Sequence, residues 1–176
     1  MDIGLLALRL LIAAVLFAHA TQKAFGWFSG PGLAKAESQF AMLGQEPAAV
    51  KVRLAITCEL SAAVLLALGL ATPLGATIAT ATMLVAGYSL ITLNKSFWAA
   101  AGGGEYPIVL AALAGVIAFT GPGAYAVDEA IGVLPLTAFA GGGVAGLIVV
   151  VTAAVAAAPV ILSTRRSRAK QPTSSS

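Results

Sequence analysis

Five long apolar stretches constrain this chain more than any other feature of its sequence. They cover residues 3–20, 52–70, 74–93, 106–120 and 136–162. A membrane-spanning helix needs roughly 17 to 25 apolar residues, and four of the five stretches reach that length. Only 10% of the residues are charged, whereas an ordinary soluble domain has roughly 25%. The sequence therefore predicts an all-α integral membrane protein.

The basic residues predict how the chain is oriented. They occur in or beside the first loop, in the third loop and after the last stretch, at Lys23, Lys35, Lys51, Arg53, Lys95, Arg165, Arg166, Arg168 and Lys170. With five spans, all of these segments fall on one side, which the positive-inside rule assigns to the cytoplasm. We expect a multi-pass protein of a bacterial plasma membrane, with its N-terminus outside and its C-terminus in the cytoplasm.

The stretch 106–120 is short for a spanning helix. It crosses the bilayer if it runs almost parallel to the membrane normal, if the bilayer thins, or if residues 97–105 supply part of the depth. Without this span the first loop and the C-terminal tail would lie on opposite sides with comparable basic charge. The charge asymmetry therefore favours five spans.

The segment 163–176 is predicted to be a basic, disordered cytoplasmic tail. Its basic run either sets the topology or binds the anionic headgroups of membrane lipids. No aromatic residues alternate with the basic ones, as they do on surfaces that bind single-stranded nucleic acid. We expect lipids as partners and no nucleic acid.

Ionisable residues inside the apolar stretches are candidates for function, because they are costly in a bilayer. Helical periodicity places His19 and Lys23 on one face of the first helix, at about the depth of Glu59. Lys95 and Glu105 border the third loop, on the same side of the membrane. This predicts a polar cluster of His19, Lys23, Glu59, Lys95 and Glu105.

Such a cluster has two interpretations. It either exchanges protons with a ligand or is a static polar contact between helices. Arg9 lies near the opposite end of the first helix, and we expect its side chain to snorkel outward to the membrane surface.

The chain has one histidine, His19, and one cysteine, Cys58. This excludes an intramolecular disulfide, an all-cysteine metal or iron–sulfur site, and a bis-histidine haem built from one copy. We expect no cofactor bound covalently or through metal ligation, so any redox chemistry requires a partner. Cys58 is expected to fill the apolar core.

Two groups of residues leave alternatives open. Trp27, Tyr88, Trp98 and Tyr106 either line a site for a flat apolar ligand such as a quinone or belong to the aromatic belt at the membrane interface. Small residues, including the GxxxG pair Gly142 and Gly146, allow close helix contact. They mediate either a homodimer or packing within one chain.

Several segments together resemble the DoxX family of small bacterial membrane proteins. They are HATQKAFGWFSGPG at 19–32, CELSAAVLLALGLATP at 58–73, KSFW at 95–98, GGGEYP at 102–107 and TGPGAYAVD at 120–128. The positions that match the family pattern and carry functional groups or turns are His19, Lys23, Gly26, Glu59, Pro73, Glu105, Pro107 and Asp128. The sequence departs from the pattern at Ala20, where the family usually has glycine.

The resemblance implies a four-helix transmembrane core, here residues 1–135, to which 136–162 adds one C-terminal transmembrane helix. It also implies a role in redox-linked membrane systems, as a subunit or scaffold of a quinone-dependent or oxidative-stress defence complex with redox enzyme partners. The family implies no settled catalytic mechanism. A small-molecule or proton-coupled transporter and an assembly chaperone without catalysis remain alternatives.

Overall fold

The computed structural model describes residues 2–132 and 142–170. They form seven α-helices, which are α1 (Asp2–Phe25), α2 (Gly32–Met42), α3 (Ala48–Leu68), α4 (Thr72–Asn94), α5 (Glu105–Thr120), α6 (Val127–Ile131) and α7 (Gly143–Lys170). A 3-10 turn covers Ala99–Ala101, and the described residues contain no strand. The predicted all-α membrane fold is confirmed.

Three helices are long and apolar enough to cross a membrane: Asp2–Phe25, Thr72–Asn94 and Gly143–Ala169. α3 has 21 residues, but its apolar sequence includes Lys51, Arg53 and Glu59. α5 has 16 residues and is short for a span. Five of the helices thus correspond to the predicted apolar stretches, while α2 and α6 fold within what the sequence predicted to be loops.

α1 packs against α3, α3 against α4, and α4 against α5, and α7 packs against both α4 and α5. The core of the bundle is filled by apolar side chains that are almost completely buried, such as Leu16, Leu66 and Ile117. Small residues allow the close approach of α7: a side chain at Gly146 would collide with the ring of Phe119. Gly146 therefore packs within this chain, whereas a side chain at Gly142 would meet no atom within 4 Å.

One end of the bundle, which we call the Arg9 end, is held by buried polar groups. Arg9 is fully buried, and its guanidinium donates hydrogen bonds to the carbonyl oxygens of Leu66 (3.2 Å) and Tyr125 (2.6 Å). The expectation that Arg9 snorkels outward is wrong. The last turn of α3 and the segment after α5 lie against it, and their carbonyl groups replace water as its partners.

Asp128 connects the same two segments at the Arg9 end. Its carboxylate accepts hydrogen bonds from the backbone N–H groups of Ala71 (2.7 Å) and Thr72 (2.8 Å), at the start of α4. Carboxylates stabilise a helix N-terminus because the first N–H groups have no partner within the helix. Gly69 completes the turn with φ 64°, where a side chain would collide with Arg9 and Ala126.

The C-terminal segment differs from its prediction. α7 continues to Lys170, so residues 163–170 are helical, and the prediction of a disordered tail is wrong for them. Arg168 donates a hydrogen bond to the carbonyl oxygen of Met42 (3.1 Å), which ties this part of α7 to the end of α2. Residues 171–176 lie outside the described residues, as does 133–141, which contains the predicted boundary at 135 and the first part of the stretch 136–162.

Candidate functional site

A cavity of about 440 Å³ lies inside the bundle, toward the end opposite Arg9. We call this the Lys23 end. The cavity walls come from α1 to α5 and from α7, and they are mostly apolar. Its size is within the range of about 300 to 1,000 Å³ that is typical of small-molecule sites. A few polar side chains interrupt the apolar wall, and they determine which polar groups a ligand of the cavity can carry.

An ion pair between α1 and α3 is the main polar feature of the cavity. The Lys23 ammonium lies 2.6 and 2.5 Å from the two carboxylate oxygens of Glu59. Glu59 is 3% exposed and Lys23 is 19% exposed, so the carboxylate is buried while the ammonium keeps some contact with the surroundings. The short contact with both carboxylate oxygens offsets the energetic cost of removing the two charges from water. A polar contact thus joins α1 and α3, and its partner on α1 is Lys23.

His19 lies one helical turn before Lys23 on α1 and also lines the cavity. Its imidazole contacts the ring of Tyr106 at the start of α5, with the ring centroids 5.6 Å apart and the planes at 54°. Helical periodicity placed His19 at the depth of Glu59, but the residue that pairs with Glu59 is Lys23. The imidazole of His19 instead contacts the ring of Tyr106.

The loop between α2 and α3 brings a residue that the sequence did not suggest. Gln45 is buried and donates a hydrogen bond from its side-chain amide to the Ser89 hydroxyl on α4 (3.0 Å). Gln45 itself lines the cavity. No sequence signal marks it, because an isolated glutamine in a short loop is usually solvated.

Lys51 and Cys58, both on α3, also line the cavity. Lys51 lies in the first turn of α3 and is partly buried, and no signal in the sequence marked it as part of a cavity. Cys58 lies beside Thr82 of α4, so the thiol borders a cavity instead of being enclosed in the core.

Two predicted members of the polar cluster lie elsewhere. Lys95 is exposed after α4 and does not line the cavity. The Glu105 carboxylate accepts a hydrogen bond from the backbone N–H of Ala99 (3.0 Å), and so it closes the loop before α5. Both residues lie at the Lys23 end. The position of a residue along the bundle axis could be estimated from the sequence, but the direction in which its side chain points, toward the cavity or away from it, could not.

Of the four aromatic candidates, Tyr106 lines the cavity and the other three do not. Trp27 is exposed and contacts Phe25, with ring centroids 5.4 Å apart. Trp98 is exposed and contacts Phe97 at 5.3 Å. These two tryptophans fit the alternative interpretation, the aromatic belt. Tyr88 is half-buried on α4.

The described residues contain no group of three or more histidine, cysteine, aspartate or glutamate side chains arranged to hold a metal ion. The charged groups of the cavity are instead two ammonium groups and one carboxylate, and uncharged amide, hydroxyl and imidazole groups add both hydrogen-bond donors and acceptors. They suit an organic ligand with oxygen acceptors.

Comparison with known proteins gives one match. The sequence model of the DoxX family matches residues 4–92. The chain belongs to the DoxX family. No curated protein and no solved structure matches the chain significantly.

The matched region of this DoxX protein runs from α1 to near the end of α4. It contains His19, Lys23 and Glu59, so the ion pair and the imidazole belong to the family region. Tyr106 and the cavity wall formed by α7 lie beyond it. The cavity therefore combines elements inside and outside the matched region.

Proposed function

We propose that this DoxX family protein binds a quinone in the cavity and acts as a subunit or scaffold of a redox-linked membrane complex. The observation that carries the proposal is the buried Lys23–Glu59 ion pair on the wall of an otherwise apolar cavity. A quinone combines a flat apolar ring with two carbonyl oxygens. An apolar wall with a few convergent polar groups is the usual environment of such a ligand.

The polar groups have distinct roles in this proposal. The Lys23 ammonium donates a hydrogen bond to one carbonyl oxygen of the quinone and keeps its contact with Glu59. His19 and Tyr106 form a second polar edge of the cavity. Oxidation of a bound quinol releases two electrons, which pass to the partner protein, and two protons, of which the Glu59 carboxylate accepts one and water the other; the reduction of a quinone reverses these transfers.

Electrons in this proposal come from partner proteins. With one histidine and one cysteine, the chain cannot supply the ligands of a bis-histidine haem or a cysteine-bound iron–sulfur cluster. Redox enzymes with their own cofactors are therefore the proposed partners.

The proposed location is a bacterial plasma membrane, crossed several times, with the N-terminus outside. The Lys23 end carries Lys35, Lys51, Arg53 and Arg168, and the positive-inside rule assigns such an end to the cytoplasm. The proton-exchanging group would then lie nearer the cytoplasmic surface.

The test is purification of the tagged protein from its host in mild detergent. Copurifying proteins and extracted quinones are identified by mass spectrometry for the wild type and Glu59→Gln. The matched control is Glu37→Gln, which removes a carboxylate that pairs with Arg53 on the surface, outside the cavity. We expect quinone with the wild type and with Glu37→Gln, and a loss of about tenfold with Glu59→Gln.

A protein that is recovered alone and free of quinone in all three forms would contradict the proposal. Transport then becomes the leading function, because a charged pair inside a cavity also suits a substrate-binding site in a carrier. Flux across liposomes that contain the purified protein alone would test it.

A further inference from the structure

Away from α1, α2 and α5, which also line it, the cavity has a floor and two side walls. One face of α4, with Ile78, Thr82 and Ala86, forms the floor, α3 forms one wall, and α7 forms the other. Both walls pack firmly on α4, but within the described residues α3 and α7 have almost no contact with each other. The described helices therefore leave one side of the cavity uncovered, between α3 and α7. We call this side the α3–α7 opening.

The loop that joins α2 to α3 lines the cavity at its Lys23 end, through Leu43 and Gln45. The Gln45 side chain ties this loop to Ser89 on α4. On the other side, the Met42 carbonyl accepts the hydrogen bond from Arg168 of α7. Gly44 packs so tightly on α7 that a side chain there would collide with Arg168. The loop thus bridges α4 and α7 between the cavity and the aqueous phase.

Two residues mark the edges of the α3–α7 opening. Leu54 on α3 lines the cavity, yet half of its surface is exposed. Ala156 on α7 also lines the cavity and is exposed. Exposed apolar residues within the spanning part of a membrane protein contact lipid tails. At Ala156, on the candidate membrane-spanning α7, the open side of the cavity therefore faces the hydrocarbon of the bilayer, whereas Leu54 follows the exposed Arg53 and lies nearer the membrane surface.

We infer that the ligand of this cavity arrives from the bilayer through the α3–α7 opening. Its class is a lipid-soluble molecule whose polar group meets Lys23 and Glu59 while its hydrocarbon chain lies in the opening. The ligand identity rests on the proposed function, whereas the route rests on the arrangement of α3, α4, α7 and the loop after α2.

Cys58 is a native probe of this route, because it is the only cysteine and it lines the cavity. The full-length protein in liposomes is treated either with a pyrene maleimide, which partitions into lipid, or with a charged methanethiosulfonate, which stays in water. We expect the apolar reagent to modify Cys58 at least about tenfold faster than the charged one, after correction for their rates with a free thiol. Faster modification by the charged reagent would overturn the inference.

Two tryptophan variants on α7 test the opening itself. Ala156→Trp places a large ring at its edge, and Val155→Trp places the same ring on an exposed position that does not line the cavity. We expect Ala156→Trp to slow modification by pyrene maleimide about tenfold and Val155→Trp to change it less than about twofold. Equal rates in the two variants would overturn the inference. The elution profile in size-exclusion chromatography checks that both variants are folded.

Protection of Cys58 by ubiquinone or menaquinone separates this inference from the proposed function. If the apolar reagent and Ala156→Trp behave as expected but neither quinone protects Cys58, the route through the bilayer is supported and the quinone proposal fails. If a quinone protects Cys58 while the charged reagent is the faster one, the quinone proposal is supported and the route is overturned.

Discussion

The two ends of the bundle both bury charged side chains, but they use them differently. At the Arg9 end, Arg9 and Asp128 bind backbone groups of the α3–α4 turn and of the segment that follows α5. At the Lys23 end, Lys23 and Glu59 bind each other on the wall of a cavity. A buried charge that bonds to the backbone holds a fold together, whereas a pair of side chains beside open space can exchange partners with a ligand.

The largest effect on stability is expected from Arg9→Met. The Tyr125 carbonyl would lose the donor that Arg9 provides, the Leu66 carbonyl would keep only the backbone N–H of Gly69, and Asp128 would lose a nearby positive charge. We expect unfolding to become easier by about 3 kcal/mol, measured as unfolding in detergent. Arg53→Met removes an exposed arginine and is the control. Equal stability of the two variants would contradict a structural role for the Arg9 end.

Glu59→Gln should separate binding from stability at the Lys23 end. We expect quinone affinity to fall about tenfold, or about 1.4 kcal/mol, and a smaller loss of stability than Arg9→Met causes, because Lys23 keeps contact with its surroundings. Quinone titration and unfolding of the same preparation measure both. The double variant Lys23→Met with Glu59→Gln removes the unpaired charge. It should regain stability but not binding. If the double variant regained quinone binding together with stability, the ion pair would have only a structural role.

Asp128→Asn tests the helix cap at the Arg9 end. An amide presents only one acceptor to the two N–H groups at the start of α4, so we expect a loss of about 1 kcal/mol. Quinone affinity should stay unchanged, because the cavity lies toward the other end. Glu129→Gln, an exposed neighbouring position, is the control for charge. A change in affinity would show that the two ends are coupled.

The smallest effects are expected for Lys95→Gln and Trp98→Leu. The sequence made both residues candidates for the site, but both are exposed outside the cavity. Stability should change by less than about 0.5 kcal/mol, and quinone affinity should match that of the wild type. Reduced affinity in either variant would extend the site beyond the cavity.

Most of the helices could be predicted, because the length and apolar character of a stretch are local properties. The stretch 106–120 corresponds to α5 almost residue for residue. α2 was missed because it lies in a polar segment, and its burial depends on contacts with α1 and α3. The helical end of α7 was missed because a basic run alone does not reveal a carbonyl that Arg168 can reach.

The sequence by itself determined that this is a membrane protein of the DoxX family, and which ionisable residues lie at which depth, because apolar length and helical rise are properties of each segment alone. Only the tertiary structure decided that Glu59 pairs with Lys23, that Arg9 is enclosed, and that α7 forms a wall of the cavity. Those outcomes depend on how each helix is rotated against its neighbours and on where the loops fold. Both are settled by packing between segments that are far apart in the chain.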